Sequence, residues 1–178
     1  ISQREMNQDT QDWSLALRSA LREDPDVVLV GEMRDHETIA STITLAETGH
    51  LVFTTLHTAT AAQTVDRMID VFPAHQQDQI RQQLAASIKA VVSQRLVPLI
   101  KGGRRAVAEI MLANSAVRNL IREAKTHQLD NVIQTAADQG MMLMETSLIK
   151  LVRQGVITEE TGRKFAFRHE EFDHLMGQ

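Results

Sequence analysis

The chain has 178 residues, of which 43% are hydrophobic, and it carries a formal net charge of −4 and no cysteine. This length and apolar content suit a globular protein with a substantial core, and the acidic balance argues against nucleic acid as the main ligand. The lack of cysteine excludes disulfides and cysteine-ligated zinc, and it favours a reducing compartment such as the cytoplasm.

The apolar stretches of the chain have the length of strands, well short of the ~20 residues that a membrane-spanning helix needs. We therefore expect no direct membrane insertion, so any association with a membrane would require a partner. The first residue is Ile1, and the residues 2–5 that follow it continue a sequence pattern rather than begin one. We expect it to be part of a longer protein.

A short helix and a strand are the first predicted elements. Residues 13–22 carry apolar side chains at helical spacing, and Pro25 ends this helix. Residues 27–30 form an uninterrupted apolar run, which is typical of a strand buried on both faces of a parallel sheet. Glu32 follows this strand directly after Gly31.

A crossover then leads to a second strand. Asp35 can cap a helix at residues 37–48, after which the apolar run at residues 51–56 reaches His57. Strand, helix and strand form one right-handed parallel unit, and ligands of such sheets bind beyond the carboxyl ends of the strands. The sequence therefore predicts that Glu32 and His57 face one crevice.

Two covering helices and a hairpin are predicted next. The first helix starts at Thr58 or Thr60 and closes at Pro73, and the second covers about residues 76–93, each with an apolar stripe. Glycines 102 and 103 separate apolar runs at residues 95–100 and 106–112, which is a signal for an antiparallel hairpin.

The rest of the chain has a helical pattern. Predicted helices cover residues 116–123, about 129–138, 143–154 and 159–165, with breaks at Gly140 and Gly155. The tail at residues 167–178 is predicted to be either a frayed helix or a disordered end. We assign it no function.

Three strings of residues carry a resemblance to a known family. LREDPDVVLVGEMRD at residues 21–35 and AETGHLVFTTLHT at residues 46–58 resemble the Walker B segment and the histidine box of the secretion ATPase superfamily, which drives type IV pili and type II secretion. AVRNLIRE at residues 116–123 is similar to a C-terminal motif of its twitching-motility retraction branch. The tight turn at residues 101–105 lacks the four-cysteine insertion usual in pilus-assembly and type II secretion ATPases, which also favours retraction.

The resemblance implies an α/β fold: a partial RecA-like parallel-sheet core in residues 1–112, followed by a small helical C-terminal subdomain in residues 113–178. It implies that the intact protein is a cytoplasmic ATPase that forms a homo-oligomeric ring, a hexamer, uses ATP and Mg²⁺, and acts on the inner-membrane platform of the pilus machinery. The alternatives are a non-hydrolysing accessory paralogue in the same ring, or a pilus-assembly or type II secretion ATPase.

One signature of these ATPases is missing. The 178 residues contain no Gly-x-x-x-x-Gly-Lys-Ser/Thr loop, whose backbone amides cradle phosphates and whose lysine reaches the terminal ones. We therefore expect this chain alone to be inactive as an ATPase.

Glu32 and His57 are the predicted catalytic residues. A carboxylate just beyond a buried strand can hold magnesium through water or polarise an attacking water, and the resemblance gives His57 a hydrogen bond to the terminal phosphate. The alternatives are a charge partner of a helix N-terminus for Glu32 and a structural role for His57. A metal site that also includes His50 is excluded, because the two histidines would lie about 20 Å apart at opposite ends of one strand.

Three arginines are predicted to contact the nucleotide, namely Arg18, Arg22 and Arg34. By resemblance, Arg18 matches an arginine directed toward the nucleotide, where a guanidinium can neutralise phosphate charge. The alternative for Arg18 and Arg22 is a solvated helix face paired with nearby acids. The alternative for Arg34 is a structural ion pair.

The retraction motif is predicted to form a docking or coupling surface. Its arginines would share one helix face while its apolar side chains form the buried one. A plain solvated helix is the alternative. The residues assigned to this surface are Arg118, Asn119, Leu120, Ile121, Arg122 and Glu123.

Overall fold

The computed structural model of the chain describes residues 1–177, apart from the side chain of Ser14. Short 3-10 turns cover Leu21–Glu23, Thr126–Gln128 and Ala137–Gln139. The predicted α/β fold, with a parallel strand pair followed by C-terminal helices, is confirmed. In chain order, the other elements are α1 (Trp13–Ala20), β1 (Val27–Val30), α2 (His36–Glu47), β2 (Leu51–Thr54), α3 (Ala61–Asp70), α4 (Ala74–Ser87), β3 (Ala90–Pro98), β4 (Arg104–Leu112), α5 (Ser115–Arg122), α6 (Leu129–Thr135), α7 (Met144–Arg153), α8 (Glu159–Phe165) and α9 (His169–Met176).

The chain divides into two compact units. The first consists of Ile1–His57 and Asp66–Ile88, and the second consists of Thr58–Val65 and Lys89–Gln178. The β3–β4 hairpin and the C-terminal helices therefore belong to the same unit. The domain boundary between residues 112 and 113 stays a prediction.

The first unit is built on the parallel pair of β1 and β2, in which Val27 pairs with Leu51 and Val30 with Thr54. Asp35 caps α2 as predicted, because its Oδ1 accepts a hydrogen bond of 2.8 Å from the Thr38 amide. Helix α2 packs against α1, β2 and α4. The apolar side chains that it buries are Ile39, Ile43 and Leu45.

The prediction that β1 and β2 are buried on both faces is wrong for the described residues. Val30 is 1% exposed, but Leu29 is 73% exposed and Phe53 is 54% exposed. Strand β2 also ends at Thr54 rather than at residue 56. An uninterrupted apolar run indicates that both faces can be buried, yet it does not say whether the covering groups lie in the same stretch of chain.

The boundary between α4 and β3 also differs from the prediction. The helix ends at Ser87, and β3 begins at Ala90, within the segment predicted as helix 76–93. Val91 and Val92 fit a helical stripe by spacing, but β-branched side chains pack better in a strand. The antiparallel hairpin itself is confirmed, and Gly102 and Gly103 occupy its turn with φ of +83° and +81°.

The second unit has a core between the hairpin and the C-terminal helices, formed by Val97, Val107, Met144, Leu148 and other apolar side chains. Helix α9 contributes Phe172, which is fully buried. The tail is therefore an ordered helix up to Met176, and the prediction of a frayed or disordered end is wrong for these residues, while Gln178 lies outside the described ones. One aromatic ring among charged residues gives little periodic signal, which is why the pattern missed it.

Gly162 lets α8 pack closely against its neighbours, so we expect Gly162→Ala to destabilise the protein. A Cβ at this position would lie 2.8 Å from Cζ of Phe172 and 2.9 Å from Cγ2 of Val152. Overpacking of this kind costs about 1–3 kcal/mol, whereas the better helix propensity of alanine would return roughly 0.5–1 kcal/mol. Urea denaturation should show a lower midpoint for Gly162→Ala, with the exposed Lys164→Ala as control. A higher midpoint would mean that propensity outweighs packing here.

Candidate functional site

The ends of β1 and β2 are tied together beyond their last paired residues. The amide of Met33 donates a 3.1 Å hydrogen bond to the carbonyl oxygen of Thr55, and the Thr55 hydroxyl donates to the carbonyl oxygen of Gly31. Met33 is also buried. These contacts fix the two loops that follow the strands and hold them side by side.

The two loops bring the predicted catalytic residues together. Nε2 of His57 lies 3.0 Å from Oε2 of Glu32, although 25 positions separate them in the chain. The Glu32 side chain is 28% exposed and the His57 imidazole is 84% exposed. The carboxylate is thus supported on the protein side, while the imidazole is open to solvent and to a ligand.

Arg34 contacts the other oxygen of the same carboxylate, Oε1 of Glu32. The hydrogen bond from Arg34 lowers the pKa of Glu32 most, partial burial opposes this, and His57 lowers the pKa further. Glu32 is therefore ionised at neutral pH. The structural ion pair weighed for Arg34 is present, and its partner is Glu32.

This cluster of Glu32, Arg34 and His57 combines one ionised carboxylate with two hydrogen-bond donors at the carboxyl edge of a parallel strand pair. A carboxylate can accept a proton from water or hold a hydrated cation. A guanidinium and an imidazole can bind anionic oxygens. The arrangement suits a ligand that carries both phosphate groups and a divalent cation.

The remaining residues predicted for the nucleotide site are placed as follows. Arg18 lies on α1 and Arg22 in the turn after it, and both are exposed. Their contact with a nucleotide stays a prediction. His50 has its Nδ1 at 3.0 Å from both the Thr48 hydroxyl and the Leu45 carbonyl oxygen, so it stabilises the end of α2.

Residues 116–122 of the AVRNLIRE string lie in α5 of the second unit, and Glu123 follows this helix. The side chain of Asn114 caps this helix by accepting from the Val117 amide, and Val117 and Ile121 are buried. Arg118 donates through Nε to the carbonyl oxygen of Ala113, Arg122 donates to Asn119, Glu123 pairs with Lys125 at 2.8 Å, and Leu120 is half-buried. The coupling role of this helix stays a prediction.

A buried charged cluster was missed by the sequence analysis. We call it the Arg168 junction, and it consists of Arg168, Asp130, Glu109 and Glu145. Both glutamates are 0% exposed, and Nη1 of Arg168 donates to Glu109 at 3.0 Å and to Glu145 at 2.8 Å. One kind of signal was available in the sequence. Glu109 occupies an inward position of β4, Glu145 lies on the apolar face of α7, and a glutamate in either place requires a buried partner.

Burial on its own lowers the pKa of the Arg168 guanidinium. The hydrogen bond from Arg168 to Asp130 and the charges of Glu109 and Glu145 outweigh this effect, so the pKa is raised above its usual value. Nε of Arg168 donates to Asp130 at 2.7 Å. The guanidinium is therefore charged at neutral pH.

Metal-binding clusters and membrane-spanning helices are both absent from the described part of the chain. Within residues 1–177, no group of three or more histidine or acidic side chains is arranged to hold a metal ion. Among the helices of the same described part of the chain, none has both the length and the apolar character needed to cross a bilayer.

Comparisons with known proteins relate the chain to secretion and pilus motor proteins. Residues 1–102 match the profile of the type II/IV secretion system protein family. The chain is 56% identical over 171 residues to a twitching motility protein of Neisseria gonorrhoeae, a match that covers 96% of this chain and 46% of that protein. It is 52% identical over 172 residues to the type IV pilus retractation ATPase PilT of Pseudomonas aeruginosa, covering 97% of this chain and 50% of that protein.

A solved structure is also similar. The crystal structure of the pilus retraction motor PilT with bound ADP superposes with a TM-score of 0.89 at 46% identity, and the match covers 97% of this chain and 49% of that chain. The chain thus spans about half the length of the relatives that it matches.

Proposed function

Since this chain belongs to the type II/IV secretion system protein family, we propose that the intact protein is a motor ATPase that couples ATP binding and hydrolysis to retraction of a type IV pilus. The observation that carries the proposal is the contact between Glu32 and His57 at the ends of β1 and β2. The names of the two relatives above, a twitching motility protein and a pilus retractation ATPase, support the retraction role.

In this proposal, Glu32 is the group that activates the attacking water. Its lowered pKa keeps it ionised at neutral pH, so it can accept a proton or orient the water through a hydrogen bond. Phosphoryl transfer requires mostly positioning and charge stabilisation. A carboxylate on a loop that is fixed by hydrogen bonds supplies the positioning of the water.

His57 and Arg34 are the proposed contacts for the phosphate groups. Both present donors at the Glu32 carboxylate, and both can move to anionic oxygens because their side chains are mostly exposed. Such a donor would stabilise charge that develops on the terminal phosphate. Arg18 and Arg22 are proposed to add positive charge at the nucleotide from their exposed positions.

The donor set of the cluster also fits Mg²⁺ bound with ATP. Magnesium prefers oxygen ligands and keeps several waters, and the ionised Glu32 carboxylate is the oxygen group that this chain offers. When bound, the ion would neutralise phosphate charge. The residues of this chain would orient it through Glu32.

We further propose that the motor works as a cytoplasmic homo-oligomer, a hexameric ring, that engages the inner-membrane platform of the pilus. Helix α5 is the proposed coupling surface, because its buried face is fixed by Val117 and Ile121 while Arg122 and Glu123 are exposed. Deleting the gene should abolish pilus retraction in a twitching assay. Unchanged twitching would contradict the retraction role, and lost pilus assembly would favour an assembly motor.

The isolated 178-residue chain is expected to hydrolyse ATP negligibly, because it contains no phosphate-binding loop. A coupled phosphate-release assay on the purified chain and on the intact protein, at equal concentrations with Mg²⁺, measures this difference. Robust turnover by the 178 residues alone would mean that the nucleotide site lies elsewhere. Absence of turnover in the intact protein would instead favour the non-hydrolysing accessory paralogue.

A further inference from the structure

One guanidinium serves all three acidic side chains of the Arg168 junction. Three carboxylates surround one cation, and two of them have no access to water. Ionised groups that are buried need further hydrogen bonds to offset the loss of hydration. The donors of these hydrogen bonds identify the helices that the Arg168 junction holds in place.

Backbone amides at the starts of two helices supply these further hydrogen bonds. Oε1 of Glu109 accepts from the amide of Ala61, the first residue of α3, at 2.8 Å. Oε1 of Glu145 accepts from the amides of Phe167 and Arg168, just before α9, at 2.9 and 3.0 Å. The first amides of a helix lack partners within it and favour negative charge. Each buried glutamate thus joins the guanidinium to one helix start.

The helix start held by Glu109 follows the proposed catalytic histidine closely. Ala61 is fully buried and comes four residues after His57 in the chain. The segment between them has further anchors within the second unit, since the hydroxyls of Thr58 and Thr64 lie 2.8 Å apart and the Thr60 hydroxyl accepts from the Gln63 amide at 3.2 Å. Only residues 58–60 separate His57 from the fixed end of α3.

We propose that the Arg168 junction positions His57. Arg168 orients Glu109, Glu109 holds the first turn of α3, and this turn fixes the short segment on which the imidazole is carried. Glu109 and Arg168 are positioning residues in this scheme, since they act on His57 through the start of α3. The inference rests on the proposed function, because that function gives His57 its role at the phosphate.

Glu145 offers a matched control for Glu109. Both side chains are 0% exposed and both accept from Nη1 of Arg168. They differ in the helix start that they hold, because only Glu109 bonds to α3. A purely structural role for the junction would make the two glutamates equivalent in their effect on turnover.

The experiment compares Glu109→Met with Glu145→Met in the intact protein. We expect both variants to lower the denaturation midpoint, but only Glu109→Met to reduce kcat, by about tenfold or more, because small displacements of a catalytic group are costly. The KM for ATP should change little. Glu109→Gln should recover most of the lost kcat, since its amide oxygen can still accept from the Ala61 amide.

Hydrogen exchange measured by mass spectrometry supplies a second readout that needs no turnover. Glu109→Met should accelerate exchange of the peptide that covers residues 58–64, and Glu145→Met should leave it close to that of the unsubstituted protein. Equal acceleration in both variants, or an equal loss of kcat, would overturn the inference. If the unsubstituted protein fails to hydrolyse ATP, the proposed function falls, and the exchange comparison still decides whether Glu109 anchors the segment after His57.

Discussion

Glu32→Gln in the intact protein is expected to reduce ATP turnover by about 10²–10⁴-fold, the usual contribution of a general base. Glutamine keeps the size of the side chain and can still accept a hydrogen bond, but it cannot take a proton from water. Nucleotide binding should largely remain, because the proposed phosphate contacts come from other side chains and the amide oxygen can still accept from a water on the magnesium ion. Steady-state phosphate release measures the first effect, and the affinity for a fluorescent ATP analogue measures the second.

The control for this variant is Glu37→Gln, which removes a second carboxylate five positions later in the chain. Glu37 lies in the first turn of α2 and its side chain is exposed, so its loss should leave turnover nearly unchanged. Undiminished hydrolysis by Glu32→Gln would refute the assignment of Glu32. Equal losses in both variants would indicate a general effect of charge rather than catalysis at one carboxylate.

Arg168→Met is expected to cost about 3–5 kcal/mol in the free energy of unfolding, the range found when one partner of a buried ion pair is removed. Methionine fills part of the space of the arginine stem, but Glu109 and Glu145 would be left fully buried without their cation. Urea denaturation followed by circular dichroism measures the loss. Arg168→Lys should lose less than Arg168→Met, because it keeps the charge but not the planar fork that contacts several carboxylates.

Arg163 gives the matched comparison for Arg168. It pairs with Asp173 through two nitrogens, at 2.9 and 3.0 Å, yet both side chains are about half exposed. Exposed ion pairs contribute little to stability, so Arg163→Met should shift the denaturation midpoint only slightly. If the two arginine variants shifted the midpoint equally, burial would not be the source of the stability of the Arg168 junction.

The sequence predicted the features that depend on neighbouring residues. The cap of α2 at Asp35 and the turn at Gly102 and Gly103 follow from local backbone chemistry, and both are present. The meeting of Glu32 and His57 also follows from a short-range rule, because parallel strands joined by one helix end at the same edge of a sheet.

The features that sequence reasoning missed depend on distant partners. Glu109 and Arg168 lie 59 positions apart, and no local pattern shows that an exposed-looking tail supplies the cation for a buried glutamate. The start of β3 was missed for a different reason. Val91 and Val92 fit both a helical stripe and an alternating strand, and only pairing with β4 decides between the two.

Phe172 and Arg168 make the segment that contains α9 an integral part of the core of the second unit. A truncation after Ala166 would remove an aromatic ring from the centre of the second unit and the only guanidinium bonded to Glu109 and Glu145 among residues 1–177. The truncation would leave a cavity in the core, and Glu109 and Glu145 would have lost their cationic partner. Proteolytic clipping of this short helix would therefore unfold the unit instead of merely shortening the chain.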